Sequence, residues 1–338
     1  MKRFRLLVSG HDLKFLKPLF PYFSEAYDLK VQELEEYLEF SAKEAKDYLQ
    51  HADLIWCEWL LTAAQWYSVH AYPQSVFIRA HRFESDRKYG YHIDLNHVEK
   101  VITVSYYWFE EFTRQFRFPY EKCTVINNFI DTERYTGIKE PDSRFHLALI
   151  GALPKKKGLD RAVELLKLLR KKDSRYCLHV SGKRPEEFPN TWNVPEERAY
   201  YEQVYQMIRE EGLENCVTFE GWVETPKFLQ KIGYVLSLTD SRPPESFHIA
   251  PFEGMASQAI AAALRWEGIE YIYPEEVVTD SLEEMAKYIH GLTEDPEAYR
   301  AMAERGAEFV REHYDIRLIW KQMQRLLETG DDYEEFCD

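Results

Sequence analysis

Two glutamates, Glu245 and Glu253, stand eight positions apart in the segment ESFHIAPFEGMAS, residues 245–257. Pro251 fits the first turn of a helix, because its missing N–H group would have no partner there. We therefore expect residues 244–250 to form a loop that leads into a helix. The free backbone N–H groups at its start would belong to His248, Ile249 and Ala250. A helix N-terminus carries about half a positive charge and binds anions. Two acids beside it predict a ligand with phosphates and hydroxyls, such as a sugar nucleotide.

Lysines and a histidine provide further candidates. The loop PKKKG, residues 154–158, follows a strand-like segment and places Lys157 before a helix. Lysines at a helix start are unfavourable unless an anion lies nearby, so this loop either binds a diphosphate or is simply solvated. His81 ends another apolar segment, in RAHRFES. It would hydrogen-bond a sugar hydroxyl or a phosphate, or serve as an ordinary structural histidine.

Short apolar segments alternate with amphipathic ones along the whole chain. The strand-like segments are residues 4–8, 27–31, 53–56, 75–80, 101–105, 123–126, 146–150, 176–180, 217–219 and 234–238. Helical spacing occupies residues 13–23, 36–51, 58–70 and 106–116, and it resumes after residue 158. Short apolar strands separated by helices predict α/β units with parallel sheets covered by helices on both faces.

A polar segment at residues 136–144 predicts a boundary near residue 140, so that the units span residues 1–140 and 141–313. The chain then ends in residues 314–338, with a helix at 316–327 and an acidic tail. Trp320, Met323 and Leu327 form an apolar stripe at helical spacing. This helix either lies on the surface of the second unit or crosses back to the first.

In an open parallel sheet, ligands bind beyond the carboxyl ends of the strands. Several candidate residues follow predicted strand ends, namely Gly10, His81, Asn128, Gly151, Lys183 and the loop of Glu245. Two such sheets facing each other would form a cleft, which is a favoured place for a small-molecule site.

The composition limits the class of partner and the compartment. The chain has 338 residues and a net charge of −15, which disfavours broad nucleic-acid binding. The excess of acids lies mainly after residue 140, so the first unit is the less repelled by a membrane surface or an anionic acceptor. Five cysteines, an odd number without metal-ligand spacing, predict reduced thiols and a cytoplasmic protein. We expect neither a signal peptide nor a membrane span, because the apolar runs are too short.

Several motifs together resemble a known family. The pair Glu245 and Glu253 resembles the signature of retaining glycosyltransferases with the GT-B fold, in the glycogen-synthase-like group 1 superfamily. IGALPKKKGLDRAVELL resembles the phosphate loop of that group, and VINNFIDTERY resembles its inter-domain motif. VTFEGWV and YVLSLTDSRPPESF follow in the expected order. The resemblance covers about residues 101–275 and implies two Rossmann-like domains facing each other across a cleft, with a C-terminal helix that returns to the first domain.

The resemblance also implies roles for individual residues. Glu245 would contact hydroxyls of the transferred sugar, and Glu253 would hold the ribose. Lys157 would stabilise the departing diphosphate together with the helix start, without a metal or any other cofactor. His81 would touch the sugar from the first domain. The remaining implied contacts to the nucleotide come from Gly10, Lys183, His248, Ile249 and Ala250.

This chain departs from the pattern of the group at three places. Ala152 stands where the phosphate loop usually has an arginine, a role that Lys155, Lys156 or Lys183 would have to fill. Gln258 stands where glycine usually closes the helix. Residues 260–264, IAAAL, are rich in alanine where the group has a strand, and we predict a strand there.

The predicted function is metal-independent transfer of a hexosyl unit from a UDP- or GDP-sugar, with retention of configuration. The acceptor would be a surface polysaccharide, another glycan, a lipid-linked sugar or another glycoconjugate. We expect a cytoplasmic location, which leaves room for contact with the inner face of the membrane. The alternative is a catalytically weakened nucleotide-binding or scaffold subunit, and an epimerase or phosphorylase is a third class.

Overall fold

The computed structural model describes residues 3–36, 38–239, 242 and 244–331. The chain divides into two compact units, one of Met1–Phe129 with Ile316–Asp338 and one of Ile130–Asp315. Beyond Asp331, the predicted acidic tail lies outside the described residues, and so does Cys337. We predicted the boundary between the units near residue 140, whereas the structure divides the chain at Ile130. The segment before residue 140 belongs with the second unit because Lys139 Nζ donates to the carbonyl oxygens of Leu229 and Ile232, both at 2.7 Å.

The first unit contains a six-stranded sheet whose neighbouring strands all run parallel. Its strands are β1 (Arg5–His11), β2 (Asp28–Leu34), β3 (Leu54–Glu58), β4 (Ser75–Ala80), β5 (Val98–Thr103) and β6 (Cys123–Val125). Its helices before the second unit are α1 (Phe20–Ala26), α2 (Ala42–Leu49), α3 (Thr62–His70) and α4 (Tyr106–Phe116). The strand order is β2-β1-β3-β4-β5-β6, so the order reverses direction between β1 and β3.

The alternation of side chains along β1 shows why both faces of this sheet carry helices. Leu7 packs into a core with α2, α3 and α4, whereas Leu6 and Val8 pack into a second core with α1. Successive side chains of a strand point to opposite faces. A strand with apolar residues at consecutive positions is therefore buried from both sides, as the sequence predicted.

The second unit repeats this architecture with a six-stranded parallel sheet. Its strands are β7 (His146–Ile150), β8 (Cys177–Ser181), β9 (Val217–Gly221), β10 (Tyr234–Ser237), β11 (Ile260–Leu264) and β12 (Val278–Thr279). Its helices are α5 (Leu159–Arg170), α6 (Pro189–Trp192), α7 (Pro195–Glu210), α8 (Thr225–Phe228), α9 (Ile249–Ala256), α10 (Leu282–Glu294) and α11 (Pro296–His313). The strand order is β12-β11-β10-β7-β8-β9, which reverses between β7 and β10.

The alanine-rich segment IAAAL forms β11, so its prediction as a strand is confirmed. Alanine favours helices, but here the residues pair with β10 from Tyr234↔Ile260 to Ser237↔Ala263. Ala261 to Ala263 are fully buried. Tertiary pairing thus overrides the local preference.

The last helix, α12 (Ile316–Thr329), belongs to the first unit. Trp320 and Met323 lie in the same core as Leu6 and Val8 of β1. The edge of Phe23 in α1 meets the Trp320 ring at 5.1 Å between centroids and 88° between planes. The predicted apolar stripe is the face by which this helix closes the first unit.

Two local predictions in the first unit were wrong. Gly10 lies inside β1, not in a turn after it. The expected helix at residues 13–23 is broken into 3-10 turns, Leu13–Phe15 and Lys17–Leu19, before α1 begins. Proline cannot donate a helical hydrogen bond, and Pro18 therefore sits where an early turn begins rather than inside a helix.

Candidate active site

The loops that follow β7 and β10 lie where the strand order of the second sheet reverses. β7 and β10 are hydrogen-bonded neighbours, with Leu147 opposite Tyr234. Beyond β7 comes the lysine loop, and beyond β10 comes the segment with both signature glutamates. A parallel α/β sheet binds its ligands at such a switch point. The topology thus places the two sequence motifs side by side.

The helix α9 begins two residues before Pro251, which is its third residue. His248 is the N-cap residue, and its side chain makes no capping hydrogen bond. The first four N–H positions of a helix have no partner within it. Here they are those of His248, Ile249 and Ala250, while Pro251 has no N–H. The backbone N–H groups that we predicted as anion donors are therefore the ones that have no partner within the helix.

The side chain of His248 supports the start of α9 from inside. Its Nδ1 lies 2.9 Å from Ser237 Oγ, and its carbonyl oxygen accepts a hydrogen bond of 2.7 Å from Tyr273 Oη. Burial, reinforced by the charge of Lys157, lowers the pKa of His248 to about 3. The imidazole is therefore neutral and contacts Ser237 without adding charge, while Tyr273 holds the backbone carbonyl of His248.

Lys157 and Glu245 form an ion pair, although 88 positions separate them in sequence. Lys157 Nζ lies 2.8 Å from Glu245 Oε1. The two side chains are 20% and 12% exposed, so the pair is largely shielded but reachable from solvent. The structure thus joins the lysine loop to the first of the two glutamates, beside the positive end of α9.

The lysine loop is anchored to the end of β10. Gly158 has φ of +79°, and a Cβ there would lie 2.6 Å from the carbonyl oxygen of Leu238. Arg161 Nε donates to that same oxygen at 2.8 Å, and Arg161 Nη2 donates to Lys156 O at 3.2 Å. The glycine and the arginine together hold the loop at a fixed distance from β10, which positions Lys157.

Ala152 is buried, and its carbonyl oxygen accepts a hydrogen bond of 2.9 Å from Tyr201 Oη. Its side chain therefore faces the protein interior. Lys155 turns toward α7, where its backbone N–H donates to Glu197 at 2.8 Å and its ammonium lies 3.6 Å from Glu196. Lys155 is thus engaged with carboxylates of α7, away from the Lys157–Glu245 pair.

Glu253 lies in α9 and is half-buried. Tyr135 Oη donates to Glu253 Oε1 at 2.6 Å. Burial raises the pKa of Glu253, while the hydrogen bond from Tyr135 and the charge of Arg134 oppose that increase. Tyr135 therefore stabilises the ionised carboxylate and leaves its second oxygen for another donor.

Gln258 closes α9 in the left-handed conformation that glycine usually adopts, with φ of +61°. The N–H of Ala259 donates to Gly254 O at 2.8 Å, and that of Gln258 donates to Met255 O at 3.0 Å. These bonds satisfy the last carbonyl groups of the helix. The carbonyl groups at the end of α9 are therefore hydrogen-bonded as in a helix closed by glycine, but the backbone of Gln258 is strained.

Lys183 follows β8 and is exposed. Its ammonium lies 5.5 Å from the centre of the Phe188 ring. Within the described part of the chain, it makes no contact with Glu245 or Glu253. The structure therefore places Lys183 at the carboxyl edge of the same sheet without joining it to the ion pair.

Two predicted site residues belong to the first unit. His81 directly follows β4, as predicted, and its Nε2 lies 2.9 Å from Glu58 Oε1. Gly10 lies in β1, where a Cβ would approach the carbonyl oxygen of Glu58 to 2.5 Å. The close approach of β3 thus provides a packing reason for this glycine.

The sequence profile of the glycosyl transferases group 1 family matches residues 133–309, which is more than half of the chain. The chain belongs to this family. The segment that matches the family profile includes Tyr135, the lysine loop, both signature glutamates and Gln258. A search of curated protein sequences gave no match.

Solved structures show the fold of this group 1 glycosyltransferase chain. HepE of Anabaena, solved in complex with UDP and glucose, is 16% identical over 97% of this chain and 100% of that chain, with a TM-score of 0.72. A glycosyltransferase from Rickettsia africae is 14% identical over 98% and 99%, with a TM-score of 0.72. Sucrose-phosphate synthase from Thermosynechococcus elongatus is 14% identical over 96% and 98%, with a TM-score of 0.71. The predicted α/β GT-B fold is confirmed.

Two residues around the site of this glycosyltransferase were missed by sequence reasoning. Tyr135 contacts Glu253 over 118 positions, and Arg161 contacts Leu238 over 77. Arg161 carried a weak signal, because it lies in the first turn of a helix, where a cation is unfavourable without a nearby acceptor. Tyr135 ends the motif VINNFIDTERY, but nothing in that motif pointed to a contact with Glu253. No helix in the described part of the chain is long and apolar enough to cross a bilayer.

Proposed function

We propose that this group 1 glycosyltransferase transfers a hexosyl unit from a nucleotide-sugar, with retention of configuration. The observation that supports this most is the Lys157–Glu245 pair at 2.8 Å beside the N-terminus of α9. It combines a cation and free N–H groups for a diphosphate with a carboxylate for sugar hydroxyls. UDP-sugars are the first candidates, since HepE was solved with UDP and with UDP-glucose; GDP-sugars are the second.

In the proposed reaction, the bond between the sugar carbon and the diphosphate oxygen breaks, and the oxygen leaves with the electron pair. Lys157 and the N–H groups of His248, Ile249 and Ala250 stabilise the negative charge that develops there. The acceptor hydroxyl attacks from the same face and passes its proton to the leaving phosphate. Since fixed donors and a lysine supply the positive charge, we propose that no metal or other cofactor is needed.

The other site residues would position the substrate. Glu245 would accept hydrogen bonds from hydroxyls of the transferred sugar, and Glu253 would accept them from the ribose. His81 and Gly10 would contribute from the first unit, and Lys183 would add positive charge near the nucleotide. These roles are the ones that the family resemblance implies.

We further propose a glycan, lipid-linked sugar or other glycoconjugate as acceptor, bound by the first unit. The described cysteines, Cys57, Cys123, Cys177 and Cys216, are free thiols. Free thiols support a location in a reducing compartment such as the cytoplasm. There the enzyme could also contact the inner face of a membrane.

The test is a panel of UDP-, GDP- and ADP-sugars, with binding measured by calorimetry and nucleotide release measured with and without acceptors. We expect one donor to bind and to release its nucleotide, and Glu245→Ala to abolish transfer while the protein stays folded. Absence of binding to every donor would refute the proposal.

A catalytically weakened nucleotide-binding subunit is the second candidate. It is favoured by the buried Ala152, which brings no charge to the phosphate loop. In that case the same panel gives nucleotide binding without turnover. Turnover that disappears in Glu245→Ala excludes this second candidate.

A further inference from the structure

A cavity of about 260 Å³ lies at the amino edge of the second sheet. Its walls come from the end of α9, the start of β11, the turn before β12 and one face of α11. Its apolar lining consists of Met255, Ile260, Val277, Met302 and Phe309. The lysine loop and Glu245 follow the carboxyl ends of β7 and β10, at the opposite edge of this sheet. The cavity is therefore separate from the candidate active site.

Gly306 lines this cavity from the interior of α11. The three atoms nearest to a Cβ at this position would all belong to the side chain of Met255, at 3.4 to 3.6 Å. These are ordinary van der Waals distances, so alanine would fit. A glycine inside a helix is destabilising relative to alanine. The helix is therefore less stable than it could be, at a position where a side chain would reduce the cavity.

The charged side chains around the cavity are predominantly acidic. They are Glu276 of the turn before β12, and Arg305, Glu308 and Glu312 of α11. Arg305 offsets the charge of Glu276, since its Nη2 lies 3.4 Å from Glu276 Oε2. The negative charges of Glu308 and Glu312 remain at the cavity.

Glu308 and Glu312 lie four positions apart, and like charges at this spacing on a helix repel each other. Glu312 also lies in the last turn of α11, where the helix dipole disfavours a carboxylate. Within the described part of the chain, neither carboxylate forms a hydrogen bond or an ion pair. Arg311 and His313 lie in the same last turn, but they do not line the cavity. A cation in the cavity would offset both unfavourable charges.

We propose that this cavity binds a small organic cation with an apolar body and one ammonium group. The cavity is smaller than the usual site of a drug-sized ligand, so the apolar body has the size of one ring system such as indole. It would pack between Met255, Met302 and Phe309, and burial of its apolar surface supplies the attraction. The ammonium would lie beside Glu308 and Glu312, which select a cation over an anion of the same shape. This site lies outside the proposed active site and does not depend on the proposed function.

The first test compares tryptamine with indole-3-propionate, which share the indole ring and carry opposite charges near neutral pH. The intact protein is labelled with 13C-methyl-methionine, and the two lining methionines are assigned by the signals that disappear in Met255→Leu and Met302→Leu. We expect tryptamine to shift both signals, with a dissociation constant on the order of 1 mM. Indole-3-propionate should bind about tenfold more weakly. The signal of Met323, in the core of the first unit, should stay in place.

Two results of this first test would overturn the proposal. One is the absence of a shift at Met255 and Met302 at tryptamine concentrations about tenfold above the expected dissociation constant. The other is equal affinity for tryptamine and indole-3-propionate, which would show an apolar cavity without preference for a cation.

The second test reduces the cavity. Gly306→Ala should weaken tryptamine binding about fourfold, the equivalent of one buried methylene group. Gly306→Leu should abolish it. Gly291→Ala is the matched control, because Gly291 lies inside α10 and a Cβ there would have no atom within 4 Å. If Gly306→Leu does not fold, Gly306→Ala still decides, and unchanged binding in this folded variant overturns the proposal.

The third test removes the charges that would select the cation. In the double variant Glu308→Gln with Glu312→Gln, tryptamine should bind about fivefold more weakly and lose its advantage over indole-3-propionate. The control is Glu297→Gln with Glu304→Gln, which makes the same change of charge on α11 at positions that do not line the cavity. A folded Glu308→Gln, Glu312→Gln protein that still prefers tryptamine as strongly as the wild type contradicts the role of these two carboxylates and overturns the proposal.

Discussion

Replacement of Glu245 by glutamine should change nucleotide binding and sugar transfer in opposite directions. The substitution keeps the shape of the side chain and removes a negative charge that lies 2.8 Å from Lys157 Nζ. In the reaction that we propose, Lys157 binds the diphosphate, and the charge of Glu245 would compete with it. Without it, the full charge of the ammonium is available to the nucleotide.

The expected gain follows from the geometry of the pair. Two unit charges at this separation attract by several kcal/mol at an effective dielectric constant of about 20. Most of this is offset by hydration, because both side chains are partly exposed, at 20% and 12%, and a net difference of about 1 kcal/mol between charged and neutral hydrogen bonds is typical. That corresponds to UDP binding about fivefold more tightly.

Transfer should fall at the same time. If Glu245 binds hydroxyls of the sugar in the transition state, loss of its charge should lower the turnover number by about 100-fold, as for the loss of other preorganised transition-state contacts. Calorimetry with UDP and single-turnover transfer measure the two quantities separately.

A matched control is Glu202→Gln on α7, where Glu202 accepts a hydrogen bond of 2.8 Å from Arg198 on the exposed surface. It should leave both measurements unchanged. If UDP affinity in Glu245→Gln instead falls in parallel with transfer, Glu245 contributes to nucleotide binding itself and the reasoning is refuted.

Three further predictions concern single residues. Tyr135→Phe removes a hydrogen bond that lowers the pKa of Glu253, so this already raised pKa should rise further. Protonation of Glu253 should then weaken UDP binding at a higher pH than in the wild type, which calorimetry over a pH series would show; the same pH dependence in both proteins would contradict this role of Tyr135. Gln258 has a left-handed backbone conformation, with φ of +61°, that is strained for glutamine. Gln258→Gly removes this strain and should raise the free energy of unfolding by about 1 kcal/mol. Denaturant titration measures this change, and an unchanged midpoint would contradict the assigned strain. Trp320→Ala should lower the free energy of unfolding by about 3–5 kcal/mol, because the ring packs in the core of the first unit; a loss below about 1 kcal/mol would mean that α12 contributes little to that core.

The sequence predicted those features of the fold that arise from local patterns. Strand β4 was predicted with its observed bounds, Ser75–Ala80, because its apolar run is short and bounded by turn residues. The start of α9 was predicted within two residues from Pro251. Gly10 was wrongly predicted to lie in a turn, because a strand glycine that is required by the close approach of β3 cannot be told from a turn glycine by sequence.

Long-range polar contacts account for what could not be predicted at the site. The Lys157–Glu245 pair spans 88 positions and the Tyr135–Glu253 bond spans 118. Local spacing has no information about such pairs, because the sheet topology brings them together. The family resemblance indicated Lys157 and both glutamates, yet it gave no sign that Tyr135 or Glu58 would hold a site residue in place.

The chain order of the units has a consequence for synthesis on the ribosome. The second unit is one continuous segment, and its two ends are paired, with the N–H of Ile130 donating to Tyr314 O at 2.7 Å. The core of the first unit needs α12, whose residues emerge only after residue 315. Domains normally complete in the order in which they are made. Here we expect the reverse, with the second unit able to complete its fold while the first still exposes the apolar face that α12 later covers.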